Sequence, residues 1–121
     1  VLAFALLFRF DHSEYVTFLP KSITTAIGMG VSEQMGGNVS ITVITIIITG
    51  VLGNILAEPI LKLFRIHNPI AKGVGLGSAA HAIGTAKAME LGEIEGARSG
   101  LSIAVAGLVT VVAAVIFGTI Y

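Results

Sequence analysis

A lysine and several hydroxyl side chains mark the start of an apolar stretch near residue 20. Lys21 and Ser22 follow Pro20, and Thr24 and Thr25 come shortly after. Because proline suits the first turn of a helix, the spacing predicts that a helix begins at Pro20, with Lys21 and Thr25 on one face. A helix start at membrane depth leaves N–H groups that attract an anion, and Lys21 would add a full charge suited to a carboxylate. The alternative is that Lys21 extends to the headgroups and the hydroxyls bond backwards along the helix.

A second polar group lies in the glycine-rich segment 73–87. Ser78, His81 and Thr85 would share one face if this segment were a regular helix. A histidine inside an apolar span is costly unless it faces a cavity or a partner. It can also take or release a proton near neutral pH, which suits a proton-coupled carrier. The alternative is a neutral histidine that bonds a neighbouring helix.

Other chemistries find no support in the sequence. The Gly-x-Gly-x-Gly run at 73–77 is not a nucleotide fingerprint, because no strand precedes it and the last glycine of that motif would fall at Ser78. Three acids between 90 and 95 have no histidine beside them, and with Lys87 and Arg98 they predict a solvated turn. The chain has no cysteine for a thiolate metal site and no basic, aromatic-rich cluster for nucleic acid. We therefore expect no enzymatic activity, cofactor, metal or nucleic-acid partner.

The composition is that of a membrane protein. Of 121 residues, 55% are hydrophobic and 12% are charged, against about 25% charged in soluble domains. The segments 39–57 and 99–121 carry no charge over 19 and 23 residues, the length of a bilayer-spanning helix. The sequence therefore predicts an all-α, polytopic membrane protein with two continuous transmembrane helices, at 39–64 and 96–120. Tyr121 is predicted to lie at an interface.

Two less regular apolar segments, 15–35 and 70–90, predict broken helices. Residues 22–28 and 78–84 match at four of seven positions with an offset of 56, which Gly36 and Gly92 preserve. Paired interrupted helices are a sequence pointer to a transporter's binding site. The alternative is chance similarity between two segments rich in alanine, isoleucine and glycine.

Further expectations concern the long helices and the ends of the segments. Glu58 and Lys62 are four residues apart, the spacing of a structural ion pair on one helix, and a relay along the helix is the less favoured alternative. Pro59 should kink the helix between them. Small residues at 96, 100 and 104 predict close helix packing. The basic loop 62–72 is placed in the cytoplasm by the positive-inside rule. Residues 1–8 are too short to span a bilayer and suggest the tail of a preceding transmembrane helix.

Several stretches resemble the LrgB/CidB membrane-protein family. They are LPKSITT from residue 19, VSEQMGG from 31, LKLFRI from 61, IAKG from 70 and AHAIGTAKAMELGEIEGA from 80. Family members are about twice this length, so the resemblance implies that 1–121 is one membrane domain, the C-terminal half of an LrgB-like transporter. Three positions depart from the family pattern: Ala26 stands where proline is frequent, and Asn54 and Glu58 stand where small or apolar residues are usual.

The resemblance also implies a function. The family includes antiholin-like proteins linked to murein hydrolase export and cell lysis, plastid glycolate/glycerate translocators and relatives tied to pyruvate transport. It is grouped with carriers whose sites lie at crossing broken helices. We therefore expect a carrier of small monocarboxylates in the bacterial inner membrane, self-associated or partnered by an LrgA/CidA-like small membrane protein. The alternative is an antiholin-like regulator without transport. The expected solute-binding residues are Lys21, Ser22, Thr24, Thr25, Ser78, His81 and Thr85.

Overall fold

The computed structural model describes residues 1–120, which form six α-helices and, within that range, no strand. The helices are α1 (Leu2–Phe8), α2 (His12–Phe18), α3 (Thr25–Gln34), α4 (Val39–Leu63), α5 (Pro69–Leu91) and α6 (Glu93–Ile120). The all-helical prediction is confirmed. Tyr121, predicted to lie at an interface, is outside the described residues.

The helices α4 and α6 are long and apolar enough to cross a bilayer. Their 25 and 28 residues give lengths of about 38 and 42 Å at 1.5 Å per residue, more than the bilayer's hydrocarbon core of about 30 Å. Only 17% of the most apolar window of each helix is buried within the chain. Because the core helix of a soluble protein would be mostly covered, these outward-facing apolar side chains favour contact with lipid. The two predicted continuous helices are thus present, and α4 continues through Pro59.

The first broken segment separates α2 from α3. Asp11 caps α2: its carboxylate accepts from the Glu14 N–H at 2.8 Å, and the Asp11 N–H donates to the Glu14 carboxylate at 2.9 Å. The helix ends at Phe18, and residues 19–24, here called the first break, have no helical structure. The predicted helix start at Pro20 is wrong: proline cannot donate the next helical bond, so it terminates α2 rather than opening α3. Lys21 therefore lies in a turn and does not share a helical face with Thr25.

The second broken segment is α5. Asn68 caps it by accepting from the N–H groups of Ile70 and Ala71, and Pro69 occupies its first turn. Ala80 and His81, here called the second break, leave helical geometry at φ −127°, ψ 16° and φ 44°, ψ −135°. Both broken helices that the sequence predicts are therefore observed.

The element boundaries follow the 56-residue offset seen in the sequence. Thr24, the last residue of the first break, corresponds to Ala80, so the second break falls where the first one ends. The span of α4, shifted by 56, lies within α6 to its last residues. Each copy thus consists of a broken helix followed by a long apolar one, which favours a structural repeat over chance similarity.

Glycines let α5 pack tightly against α6. A Cβ at Gly77 would lie 2.8 Å from Ser99 Oγ, and one at Gly73 would lie 2.8 Å from Arg98 Cβ. The first and last glycines of the Gly-x-Gly-x-Gly run therefore serve helix packing. The predicted small-residue stripe on α6 is only partly used, because Gly96 packs against Met89 whereas a Cβ at Gly100 would meet no atom within 4 Å.

The predicted solvated turn at 87–98 is present but is limited to Gly92 between α5 and α6. Only Gly92 interrupts the helical structure there, and α6 begins directly after it. Glu93 and Glu95 occupy the first turn of α6, where carboxylates interact favourably with the helix dipole. The acids thus extend the helix rather than break it.

Candidate functional site

The first break contains the positive charge of Lys21, which has a hydroxyl partner but no negatively charged partner in the described part of the chain. Lys21 Nζ donates to Ser22 Oγ at 2.8 Å, and both residues are half-buried. Within residues 1–120, no carboxylate lies within salt-bridge distance of this ammonium. Thr24 stands at the N-cap of α3 but makes no side-chain capping bond there, and Thr25 opens the helix. The first N–H groups of α3 and the hydroxyls of Thr24 and Thr25 therefore follow Lys21 within four residues of the chain.

The first break and α5 meet in a small cleft. The cleft has a volume of about 120 Å³, and α6 forms one side of it. At about 30 Å³ per water molecule, this volume corresponds to about four waters, the size range of a two- or three-carbon acid. The structure thus brings Ser22 and Ser78 to one site. The lining residues are Leu19, Pro20, Ser22, Ile23, Ser78, Ala106 and Thr110.

The imidazole of the second break is buried and bonded to α4. His81 is 3% exposed, and its Nε2 lies 2.9 Å from the carbonyl oxygen of Ile46. A carbonyl can only accept, so Nε2 carries the hydrogen in this arrangement. Gly50 makes room for the ring, because a Cβ there would lie 2.7 Å from His81 Cε1.

The backbone of His81 is strained. Its φ of 44° lies in the left-handed region, which glycine enters freely and other residues enter at a cost of about 1–3 kcal/mol. One net hydrogen bond stabilises by only about 1 kcal/mol. The bond to Ile46 therefore does not by itself explain a histidine where glycine would fit with less strain.

Side chains satisfy the backbone carbonyls around the second break. Thr85 Oγ1 donates to the His81 carbonyl at 3.0 Å and lies 2.7 Å from Ser99 Oγ, which is fully buried. Asn54 Nδ2 on α4 donates to the Ile83 carbonyl at 3.1 Å. Such compensation is what a break at membrane depth requires, since lipid offers no hydrogen bonds.

Ser78, His81 and Thr85 do not share one face, so that prediction is wrong. The backbone turns at the second break, which leaves Ser78 exposed and bonded to the Val74 carbonyl, while His81 and Thr85 are buried. His81 contacts α4 and Thr85 contacts α6 through Ser99. Only Ser78 of the three lines the cleft beside the first break.

Ile46 of α4 connects the two broken segments. Its carbonyl accepts from His81, and its Cδ1 occupies the space above Gly28, so that a Cβ on Gly28 would clash with it. Gly28 belongs to α3, which begins at the first break. Both broken segments therefore contact the same buried residue.

The comparisons with known proteins bear on this arrangement. The model of the LrgB-like family matches residues 1–120. The chain belongs to the LrgB-like family. A similar curated protein is "Uncharacterized protein YwbG" of Bacillus subtilis (strain 168), 42% identical over 98 residues, which are 81% of this chain and 44% of that protein. The chain thus spans less than half the length of this relative, and no solved structure matches it.

Family membership and the two apolar helices together identify a helical membrane protein. In this LrgB-like chain, the two polar residues of α4 that depart from the family pattern, Asn54 and Glu58, both contact α5. Asn54 bonds the Ile83 carbonyl, as described above, and Glu58 Oε1 lies 2.7 Å from Lys87 Nζ. The predicted Glu58–Lys62 pair is wrong, because Lys87 approaches from the neighbouring helix. Asn54 and Glu58 therefore link α4 to the part of α5 that follows the second break.

A buried polar cluster, missed by sequence reasoning, holds α2, α3 and α4 together. Thr42 Oγ1 lies 2.7 Å from Ser32 Oγ and 2.8 Å from the Thr17 carbonyl oxygen. Thr17 Oγ1 in turn accepts from the Asn38 N–H at 2.8 Å. The available signal was the presence of Thr17 and Ser32 in the apolar segment 15–35 and of Thr42 in the apolar run of α4. This cluster fixes α3 next to the first break.

Proposed function

We propose that this LrgB-like chain is part of a carrier for small monocarboxylates of the glycolate, glycerate and pyruvate class. The observation that supports the proposal is the half-buried Lys21 ammonium, which within residues 1–120 has a hydroxyl partner but no counter-charge. A cation in apolar surroundings is costly unless an anion compensates it. A solute carboxylate would provide that compensation only when bound, and so gives the lysine a use that packing alone does not.

The surrounding groups suit a carboxylate of two or three carbons. Ser22 lies beside Lys21, and Ser78 faces the same cleft from α5, placed to bond a hydroxyl or keto oxygen of the solute. Thr24 and Thr25 would contribute their hydroxyls and the N–H groups of the α3 terminus to the carboxylate. The cleft volume of about 120 Å³ is sufficient for such a small solute.

The second break would contribute the conformational step. His81 combines a strained backbone with one hydrogen bond to Ile46, and Ile46 also packs against α3. Release of that bond would free the second break from α4 and let the wall of the cleft that carries Ser78 move. His81 and Thr85 are therefore proposed to position the site rather than to contact the solute.

The remaining expectations stand as parts of this proposal. The protein would act in the bacterial inner membrane without a catalytic step. It would form the C-terminal half of the full carrier, assembled with itself or with a small LrgA/CidA-like membrane protein. An antiholin-like regulator without transport is the competing function, and the experiment below separates the two.

The test is uptake of labelled glycolate, glycerate or pyruvate by liposomes that contain the full-length protein. We expect uptake of at least one solute and a 10- to 150-fold loss of apparent affinity in Lys21→Gln, which corresponds to about 1.5–3 kcal/mol for a charged hydrogen bond. Lys21→Arg should retain part of the activity, and Arg98→Gln, which removes a positive charge elsewhere, should retain all of it. Unchanged uptake in Lys21→Gln would refute the site. No uptake of any of the three by the wild type would favour the regulator.

A further inference from the structure

A second cavity lies at the loop between α4 and α5, apart from the two breaks. It has a volume of about 370 Å³ and is formed by the end of α4, the loop and the start and end of α5. Because α4 is a spanning helix, this loop lies at the membrane surface. Its side chains include two lysines and a histidine, namely Lys62, Lys72 and His67.

The charges in this cavity are unbalanced. Within residues 1–120, neither Lys62 nor Lys72 has a carboxylate within salt-bridge distance. Glu58 also lines the cavity and pairs with Lys87 at 2.7 Å, while Lys62 interacts with its charge at longer range, so the lining holds two lysines and one acid. Two ammonium groups that face one cavity repel each other, and an anion between them would remove that repulsion.

The surroundings of the cavity are apolar. Leu61, Ile66 and Leu91 complete its lining. Next to it, at the end of α4, Leu63 and Phe64 are 76% and 69% exposed. The arrangement offers a cationic pocket beside an apolar surface, which suits a ligand with an anionic head and a hydrocarbon tail better than a small free anion.

We propose that this cavity binds the phosphate group of an anionic membrane lipid between Lys62 and Lys72. Basic pockets beside transmembrane helices attract anionic headgroups, and the volume of about 370 Å³ accommodates one. The bound lipid would hold the α4–α5 loop at the membrane surface. This site is distinct from the cleft that Ser22 and Ser78 line, and it does not depend on what the protein transports.

The test uses the purified full-length protein in a nonionic detergent. Binding of dioctanoyl-phosphatidylglycerol, dioctanoyl-phosphatidylcholine and inorganic phosphate is measured by native mass spectrometry and by the shift in thermal unfolding. We expect binding of the phosphatidylglycerol, and weakening by about 30-fold in the double variant Lys62→Gln/Lys72→Gln, or about 2 kcal/mol. Each single variant should weaken binding by about fivefold, which keeps the test informative if the double variant does not fold.

Two controls separate a defined site from general attraction. Lys62→Arg/Lys72→Arg keeps both charges and should keep binding, and Arg9→Gln removes one charge outside the cavity and should leave binding unchanged. Equal binding of phosphatidylcholine, or weakening by Arg9→Gln equal to that by Lys62→Gln, would overturn the site. Protection by inorganic phosphate as strong as that by phosphatidylglycerol would overturn the assignment to a lipid.

Discussion

The backbone conformation of His81 predicts that glycine is more stabilising than alanine at this position, the opposite of the usual order in a helix. In a regular helix, glycine is about 1 kcal/mol less stable than alanine, because it loses more conformational freedom on folding. At residue 81 the φ of 44° reverses the balance, since alanine keeps the strained left-handed backbone and glycine does not. We therefore expect His81→Gly to be more stable than His81→Ala.

The size of the difference follows from two opposing terms. Relief of strain favours glycine by about 1–3 kcal/mol, and the extra chain entropy of glycine opposes it by about 0.5–1 kcal/mol. The net preference for glycine is then about 1 kcal/mol. Both variants lose the Nε2 bond to Ile46 and the packing of the ring on Gly50, so these losses cancel in the comparison.

The assay is reversible unfolding of the full-length protein in mixed micelles, with Ala86→Gly as the matched control. Ala86 is exposed in the regular part of α5, so this glycine should cost about 1 kcal/mol. If His81→Ala proves as stable as His81→Gly, the second break is not strained and the reasoning fails. Uptake by His81→Gly gives a separate readout: a folded variant without transport shows that the imidazole serves the carrier.

Two further predictions concern helix packing. Gly77→Ala should destabilise the protein by about 1–3 kcal/mol, because the added methyl group meets Ser99. Gly75→Ala is the control: its methyl group meets no atom within 4 Å, so this variant should be as stable as the wild type or slightly more stable. Equal unfolding midpoints of the two variants would contradict the packing of α5 on α6. The Glu58–Lys87 pair should show a small favourable coupling in a double-mutant cycle with Gln and Met, because the pair is partly exposed to solvent. A larger coupling between Glu58 and Lys62 than between Glu58 and Lys87 would contradict the structure.

The parts of the fold that could be predicted from sequence are those set by local composition. The charge-free runs in α4 and α6 required spanning helices, and Pro20 marked the first break to within a few residues. The prediction was wrong about the role of Pro20: it ends α2 instead of beginning a helix, and α3 begins four residues after Lys21. Only the way the flanking residues pack decides between these two roles of proline.

The second break and its bonds could not be placed from sequence for a physical reason. Alanine and histidine are not helix breakers, and the break at Ala80 and His81 arises where α4 approaches closely at Gly50 and Gly53. The partner of His81 is a backbone carbonyl, which has no signature in the sequence. Glu58 likewise had two lysines within reach, and the contact between α4 and α5 selected the one on the other helix.

The central claim is that the Lys21 ammonium receives the carboxylate of the solute. The most direct measurement is solid-state NMR dipolar dephasing between ¹⁵N-labelled lysine side chains of the full-length protein and ¹³C-carboxylate-labelled solute, using whichever of glycolate, glycerate or pyruvate the liposomes take up. We predict dephasing of the bound carboxylate that disappears in Lys21→Gln and survives in Arg98→Gln. Bound solute that shows no lysine contact, or shows the same contact in Lys21→Gln, would contradict the account.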